Sequence, residues 1–239
     1  MSQKSVSVII PAYNEADFIE PTLQSVLDQK HSDLELIVVP NGCTDNTAEI
    51  ASRYTPKVFD TNERGIGRAK NIGFEKATGE IIAFLDADSQ MMQGLIKNII
   101  EALEGKYIGG KSRIFPSNPT LGAKLYFGYD NFCGYLSQLL TYFNPSLNNG
   151  AGANIFSSHD LLDFLKRRDG HVFREDIQTM EDVNFIGRLR AEGPFKYISK
   201  NGVITSTRRF DKDGYLKRFV MDFVEFINPE AVEERKDVR

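Results

Sequence analysis

At 239 residues the chain is one ordinary domain with an elaborated edge, long enough to bury roughly 70–75% of the surface it exposes when unfolded. With 41% apolar and 26% charged residues it is not a disordered, collagenous or disulfide-scaffold protein. Its 29 basic and 33 acidic side chains leave a net charge of −4, which argues against the basic face of a nucleic-acid binder.

Cys43 and Cys133 lie far apart, in no CxxC pair and with no His at zinc spacing. Two free thiols in a reducing compartment are therefore expected. The first apolar run, Val6–Pro11, is too short for a secretory signal, and no stretch approaches the ~18 apolar residues of a membrane span. The expectation is a cytoplasmic protein, with attachment to the inner face of the membrane left open.

The first hundred residues alternate in type. Ser5–Ile10 is a β-rich run ended by Pro11, and Ile19, Leu23, Val26 and Leu27 then recur at helical spacing. Leu34–Val39 is a second strand, stopped by Pro40-Asn41-Gly42. A polar helix from about Thr44 to Tyr54, a short strand at Lys57–Phe59 and a helix over Ala69–Ala77 follow. Glu80–Leu85 is a third strong strand. Met92, Leu95, Ile96, Ile99, Ile100 and Leu103 mark the next helix.

Beyond Lys106, Tyr107–Phe115 reads as a strand with a glycine bend. Residues 121–143 are helical and rich in Tyr and Phe, and Gly150–Phe156 is a glycine-broken strand. Helices are expected from about Ser158, from Glu181 and over Asp213–Ile227, the last with Leu216, Phe219, Val220, Phe223 and Ile227 on one stripe. Strands alternating with helices imply an α/β protein with a layered, mostly parallel, Rossmann-like sheet and helices on both faces. Ligands of such sheets sit beyond the carboxyl ends of the strands. There lie Pro11–Glu15, Pro40–Gly42 and Asp86–Asp88.

Asp86 and Asp88, one residue apart after a strand, suit Mg²⁺ or Mn²⁺ held jointly with substrate phosphates. The plainer reading makes Asp88 or Ser89 the N-cap of a helix starting near Met91. For Glu181-Asp182 the plainer reading is acids complementing a helix dipole. Arg208-Arg209 either clamps a phosphate or solvates a loop. Gly65-Ile66-Gly67 lacks a third glycine, since Lys70 stands there, so the dinucleotide fingerprint fails. His31, His159 and His171 are scattered and read as ordinary surface or satisfied histidines.

VSVIIPAYNE (Val6–Glu15), VVPNGCTDNT (Val38–Thr47), RAKNIGFEKATGEIIAFLDAD (Arg68–Asp88), GAGANIF (Gly150–Phe156) and MEDVNFIGRLRAEG (Met180–Gly193) occur in this order. Together they resemble the family 2 glycosyltransferases of the GT-A fold, over roughly residues 5–210. The resemblance implies a UDP- or GDP-sugar donor, a divalent metal (Mn²⁺ or Mg²⁺), and inversion at the anomeric carbon. It implies a glycan, lipid-linked or small-molecule acceptor, as in cell-wall or polysaccharide assembly.

By the same resemblance Pro11, Ala12, Tyr13 and Glu15 line the nucleotide, with Lys70 nearby, and Asn41 faces the base. Asp86 contacts the ribose and touches the metal, and Asp88 is the direct metal ligand. Gly152, Ala153 and Asn154 border the sugar. Asp182 is the catalytic base with Glu181 beside it near the acceptor, and Arg208 or Arg209 closes over the diphosphate. One domain over 1–239 is implied, with a nucleotide-sugar half at 1–105, an acceptor half at 106–210 and a C-terminal helix and tail at 211–239.

Two positions depart from the family pattern. Pro40-Asn41 stands where Asp-Asp is usual, so a neutral amide replaces a carboxylate before the base. Lys70 stands where Arg is common, with Arg68 nearby. The alternatives are a catalytically silent partner of the same fold, or a nucleotidyltransferase. The latter needs an early basic, glycine-rich loop, which Pro11–Glu15 is not. For the aromatic 121–143 segment and the last helix, core packing stands beside an acceptor platform, a dimer face and a peripheral membrane patch. Lys212, Lys217 and Arg218 there are mixed with Asp213, Asp222 and Glu225.

Overall fold

A computed structural model describes residues 4–140, 154–177 and 181–220. Among these, β1 (Val6–Ala12), β2 (Leu34–Pro40) and β3 (Ile81–Leu85) form a parallel group with β1 in the centre. They continue into β6 (Asn154–Ser158), β5 (Gly109–Pro116), β7 (Phe195–Thr205) and β4 (Ser89–Met91). The whole is a seven-stranded sheet in the order β2-β1-β3-β6-β5-β7-β4. β5 and β7 are parallel, while β6 and β4 run against their neighbours, so the sheet is mixed.

Both faces of this sheet are covered, which explains the unbroken apolar runs of its central strands. On one side Val6, Val8 and Ile10 meet α1 (Ile19–Leu27) and α4 (Leu95–Glu104). On the other, Ile9, Ile37, Val39 and Phe84 meet α3 (Ile66–Lys76), α6 (His159–Asp169) and α7 (Glu181–Glu192). The short α2 (Thr47–Ser52) flanks β2, and α5 (Leu121–Leu140) lies on β5 and β7. α8 (Arg208–Asp213) and a helical stretch at 215–220 follow β7.

Several boundaries differ from the sequence expectation for physical reasons. β1 runs through Pro11 to Ala12 because its pairing with β3 ends at Ile9↔Phe84, whereas its pairing with β2 continues to Ala12↔Pro40. Pro11, which has no N–H, thus stands where only one neighbour is paired. The same divergence parts β1 from β3 at their carboxyl ends, the switch point at which the ligand crevice of an open α/β sheet lies. The helix expected from Met92 begins at Leu95, after Gly94 in the left-handed region at φ 77°. Lys57–Phe59 contributes one bridge, Val38↔Val58, rather than a strand.

β4 and β7 have no counterpart in the sequence reading. β4 is 3 residues long. β7 is interrupted by polar Ser199–Asn201 and shifts register beside Ser112/Arg113. His159 and His31 are satisfied histidines, each with one ring nitrogen against a backbone carbonyl, those of Gly79 at 2.9 Å and Lys4 at 2.7 Å. Gly150–Ala153 of the fourth motif and the last helix beyond residue 220 lie outside the described residues.

Candidate active site

The crevice is floored by backbone. The Ala12 carbonyl accepts from the Asn41 N–H at 2.9 Å and from Asn41 Nδ2 at 2.8 Å. Asn41 Oδ1 accepts from the Gly65 N–H at 3.2 Å. Asn41 is buried, so its amide fastens the 61–65 loop to the end of β1, and both ends of that amide are committed to main chain. The fastened loop delivers Arg64, whose guanidinium lies 4.3 Å from the centre of the Tyr13 ring.

The Tyr13–Glu15 turn is held by short side chains. Asn14 takes φ 52°, the left-handed region an Asn tolerates, and its Oδ1 accepts the Thr44 N–H at 2.8 Å. The Glu15 N–H donates to Thr47 Oγ1 at 2.8 Å, and the Ala16 N–H to Asp45 at 3.1 Å. Burial works against the Asp45 charge, but the Thr47 hydroxyl and the Ala16 and Thr47 N–H groups hold its carboxyl below the usual range. Thr47 and Asp45 come from the Cys43–Thr47 run, which supplies structure to the neighbouring loop.

Asp86 and Asp88 leave the end of β3 into this crevice. Burial, reinforced by the charges of Asp88 and Glu181, pushes the Asp86 carboxyl up to about 6, against the pull of Lys70 and Arg209. Burial and the Glu15 charge also raise Asp88, with Arg208 and Arg209 opposing. The helix-cap reading of Asp88 and Ser89 fails. Ser89 lies in β4, its hydroxyl donates to Thr205 Oγ1 at 2.8 Å, and α4 starts six residues later with no side-chain cap.

Pairing of β4 with β7 then explains Arg208. The Ser206 N–H donates to the Asp88 carbonyl at 3.1 Å, which carries the start of α8 onto the acidic turn. Arg208 lies 3.3 Å from Asp88 Oδ2, bonds Glu15, and sits 4.2 Å from the centre of the Phe18 ring. Burial opposes its charge, but Glu15 and Asp88 hold the guanidinium more firmly protonated than usual. Arg209 is exposed beside it.

On the other wall, Lys70 of α3 donates to Glu181 Oε1 at 3.0 Å, and both are buried. Lys70 also feels Asp86 and Asp182; these charges raise it despite the cost of burial. Glu181 is thus turned to Lys70. Asp182 beside it lies in the first turn of α7, where its Oδ1 accepts the Val183 N–H at 2.8 Å. Asn154 is brought to the same edge by the pairing Leu85↔Asn154. Its Oδ1 accepts the Ser112 N–H at 2.7 Å, and its buried Nδ2 has no partner among the described residues. Gly152 and Ala153 lie outside the described residues.

Pro11, Ala12, Tyr13, Glu15, Asp86, Asp88, Lys70, Glu181, Asp182, Asn154, Arg208 and Arg209 therefore come from separate segments to one sheet edge. Arg64 and Phe18 join them without a sequence signal of their own. No group of three or more His, Cys, Asp or Glu among the described residues could hold a metal alone. Two crowded carboxylates at one turn fit a hard divalent ion that would draw its remaining oxygen ligands from outside this turn.

The mixed α/β sheet, with an acidic turn after its third strand opposed by an arginine, has the GT-A fold of the solved glycosyltransferases it superposes on. The model of Glycosyl transferase family 2 matches residues 7–157, and the chain belongs to that family. A glycosyltransferase of Nostoc sp. with no assigned role is 37% identical over 112 residues, covering 44% of this chain and 34% of that one. The first curated relatives are each matched over less than half of their own length. Among solved structures, residues 1–349 of S. aureus TarS in complex with UDP-GlcNAc superpose with a TM-score of 0.65 at 19% identity, covering 85% of this chain and 59% of that one. The mannosyltransferase PcManGT from Pyrobaculum calidifontis with GDP-Man and Mn²⁺ gives 0.63 at 22% identity, covering 90% and 59%.

Proposed function

We propose that this glycosyltransferase moves a sugar from a UDP- or GDP-sugar to an acceptor hydroxyl with inversion at the anomeric carbon. The observation that carries this reading is the convergence of Asp86, Asp88, Arg208 and Asp182 on the β1/β3 crevice. Structural neighbours in complexes with UDP-GlcNAc and with GDP-Man and Mn²⁺ support it. On this reading residues 1–105 hold the donor and 106–210 the acceptor.

Asp88, with Asp86, would hold Mn²⁺ or Mg²⁺, which when bound supplies Lewis-acid stabilisation of the leaving diphosphate. Arg208 trades Glu15 and Asp88 for phosphate oxygens, a bidentate exchange its planar fork suits. Tyr13, with Arg64 over its ring, offers a flat surface to the base. Asp182 accepts the proton of the acceptor hydroxyl as that oxygen attacks, a role typically worth about 10²–10⁴ in rate. No covalent enzyme intermediate is needed. The Lys70–Glu181 pair fixes the start of α7, and with it Asp182, against α3.

The test is thermal stabilisation by UDP- and GDP-sugars with and without Mn²⁺, on the native chain and on Asp88→Ala. The proposal expects a metal-dependent shift that Asp88→Ala abolishes while remaining folded. An equal shift in both proteins would remove Asp88 from the metal site, and no shift with any nucleotide-sugar would remove the donor reading.

A further inference from the structure

α5 has three differently used faces. Ala123 and Phe127 are buried against the sheet, and Asn131 bonds both the N–H and the carbonyl of Ile114. A second face meets the chain after β7: Tyr126 packs on Phe210 at 4.6 Å between ring centres, and Tyr129 on Phe219 at 5.1 Å. The third face carries Leu121, Leu125 and Phe132, which are 75%, 67% and 61% exposed. Their spacing of four and seven residues sets them on one stripe. Gly128, on the same stripe, has open space where a side chain would stand.

The 215–220 helical stretch lies alongside, with Tyr215 against Gly122. It adds Leu216 and Val220, one turn apart and 76% and 51% exposed. A single exposed leucine needs no explanation, but two adjoining helices with apolar outer faces do.

The charges around this face are asymmetric. Of the five bases at 208–218, Arg208 is paired with Glu15 and Asp88 and Arg218 with Asp213, which leaves Arg209, Lys212 and Lys217 as the cations this stretch offers. The acids are engaged within the protein. Asp130 of α5 lies 3.8 Å from Lys111, Asp213 lies 4.0 Å from Arg218, and Asp211 accepts from Thr207 and Tyr215. Lys124, Lys212 and Lys217 are exposed, Lys124 next to Leu125 and Lys217 next to Leu216.

We propose that the outer face of α5 together with the 215–220 helix is a docking surface for an anionic lipid bilayer. Leu121, Leu125, Phe132, Leu216 and Val220 enter the boundary between headgroups and acyl chains, and Lys124, Lys212 and Lys217 meet lipid phosphates. A second copy fits less well, because two-fold pairing would bury the lysines of both copies in one interface whose core favours charge depletion. Arg208 of the site and Lys212 of the docking face share the short helix α8. Docking therefore sets the crevice beside the membrane, and the acceptor class that fits is a hydroxyl carried on a lipid. That consequence rests on the proposed transfer reaction, whereas vesicle binding does not.

The experiment is co-sedimentation of the full chain with phosphatidylglycerol/phosphatidylcholine vesicles and with pure phosphatidylcholine vesicles, at low and high salt. Two double variants accompany it, Leu125→Asp/Phe132→Asp and Lys124→Glu/Lys217→Glu, each checked by its melting transition. If the aspartate pair fails to fold, Leu125→Ser/Phe132→Ser replaces it. Expected is binding to the anionic vesicles that salt weakens and that each double variant lowers by about tenfold or more. Absence of binding by the native chain, or undiminished binding by the folded variants, would overturn the proposal. So would a lipid-free dimer in sedimentation equilibrium that Leu125→Asp/Phe132→Asp abolishes while vesicle binding is absent, which would assign the face to a second copy.

Discussion

Lys70 Nζ stands 3.0 Å from Glu181 Oε1, with the two side chains only 3% and 8% exposed, and this pair joins α3 to the first turn of α7. The residues are 111 positions apart in the chain. Lys70 also lies 4.9 Å from the centre of the Phe173 ring, so its charge is enclosed by aromatic and acidic groups alike.

Breaking such a pair strands the surviving charge. Lys70→Met or Glu181→Leu alone is expected to cost roughly 3–5 kcal/mol, whereas Lys70→Met/Glu181→Leu together should cost much less than the two added. Urea denaturation of all the proteins measures the coupling. Additive losses would show that the ion pair does not join the two helices.

Asn41 links Ala12 to Gly65, so its replacement is expected to act on the loop before it acts on any base. Asn41→Asp exchanges the donor facing the Ala12 carbonyl for an acceptor, and a stability loss of roughly 1–3 kcal/mol should follow. By freeing Arg64 from Tyr13 it should weaken UDP, GDP and CDP to similar extents. Calorimetry showing a changed preference among the three at unchanged stability would instead make Asn41 a base-reading residue.

A Cβ at Gly202 would fall 1.8 Å from the Arg113 carbonyl oxygen, whereas one at Gly128 would meet nothing within 4 Å. Gly202→Ala must therefore push β7 off β5 at the register shift that precedes Arg208. Gly128→Ala only removes a mid-helix glycine and should stabilise by about 0.5–1 kcal/mol. Melting temperatures moving in opposite directions are expected, and a tolerated Gly202→Ala would contradict the close strand approach.

How much of this was legible in the chain follows from the range of each interaction. β1, β2 and β3 are visible because strands buried on both faces leave continuous apolar runs, and Asp86 and Asp88 stand out as acids at the end of one. The surroundings of Asp88 are not visible. Arg208 reaches it through the pairing of three-residue β4 with β7, whose middle is the polar Ser199–Asn201. Nothing in the local sequence of Lys70 points to its partner Glu181, 111 positions away. The position of Asn41 at a strand end is visible, and its two backbone partners, Ala12 and Gly65, are not.

Asp182 carries the central claim. The Asp182 carboxylate in the first turn of α7 bonds the Val183 N–H, so a purely structural acid at a helix start makes a distinct prediction. That role expects Asp182→Asn to lose at most about 1 kcal/mol of stability with turnover retained. The catalytic role expects sugar transfer to fall by about 10²-fold or more, with donor affinity and melting temperature little changed. The decisive measurement is sugar transfer by native and Asp182→Asn protein, read with melting temperature and donor affinity on the same preparations. A fall of that size at unchanged donor binding is the predicted result, and near-native turnover by Asp182→Asn would contradict the account.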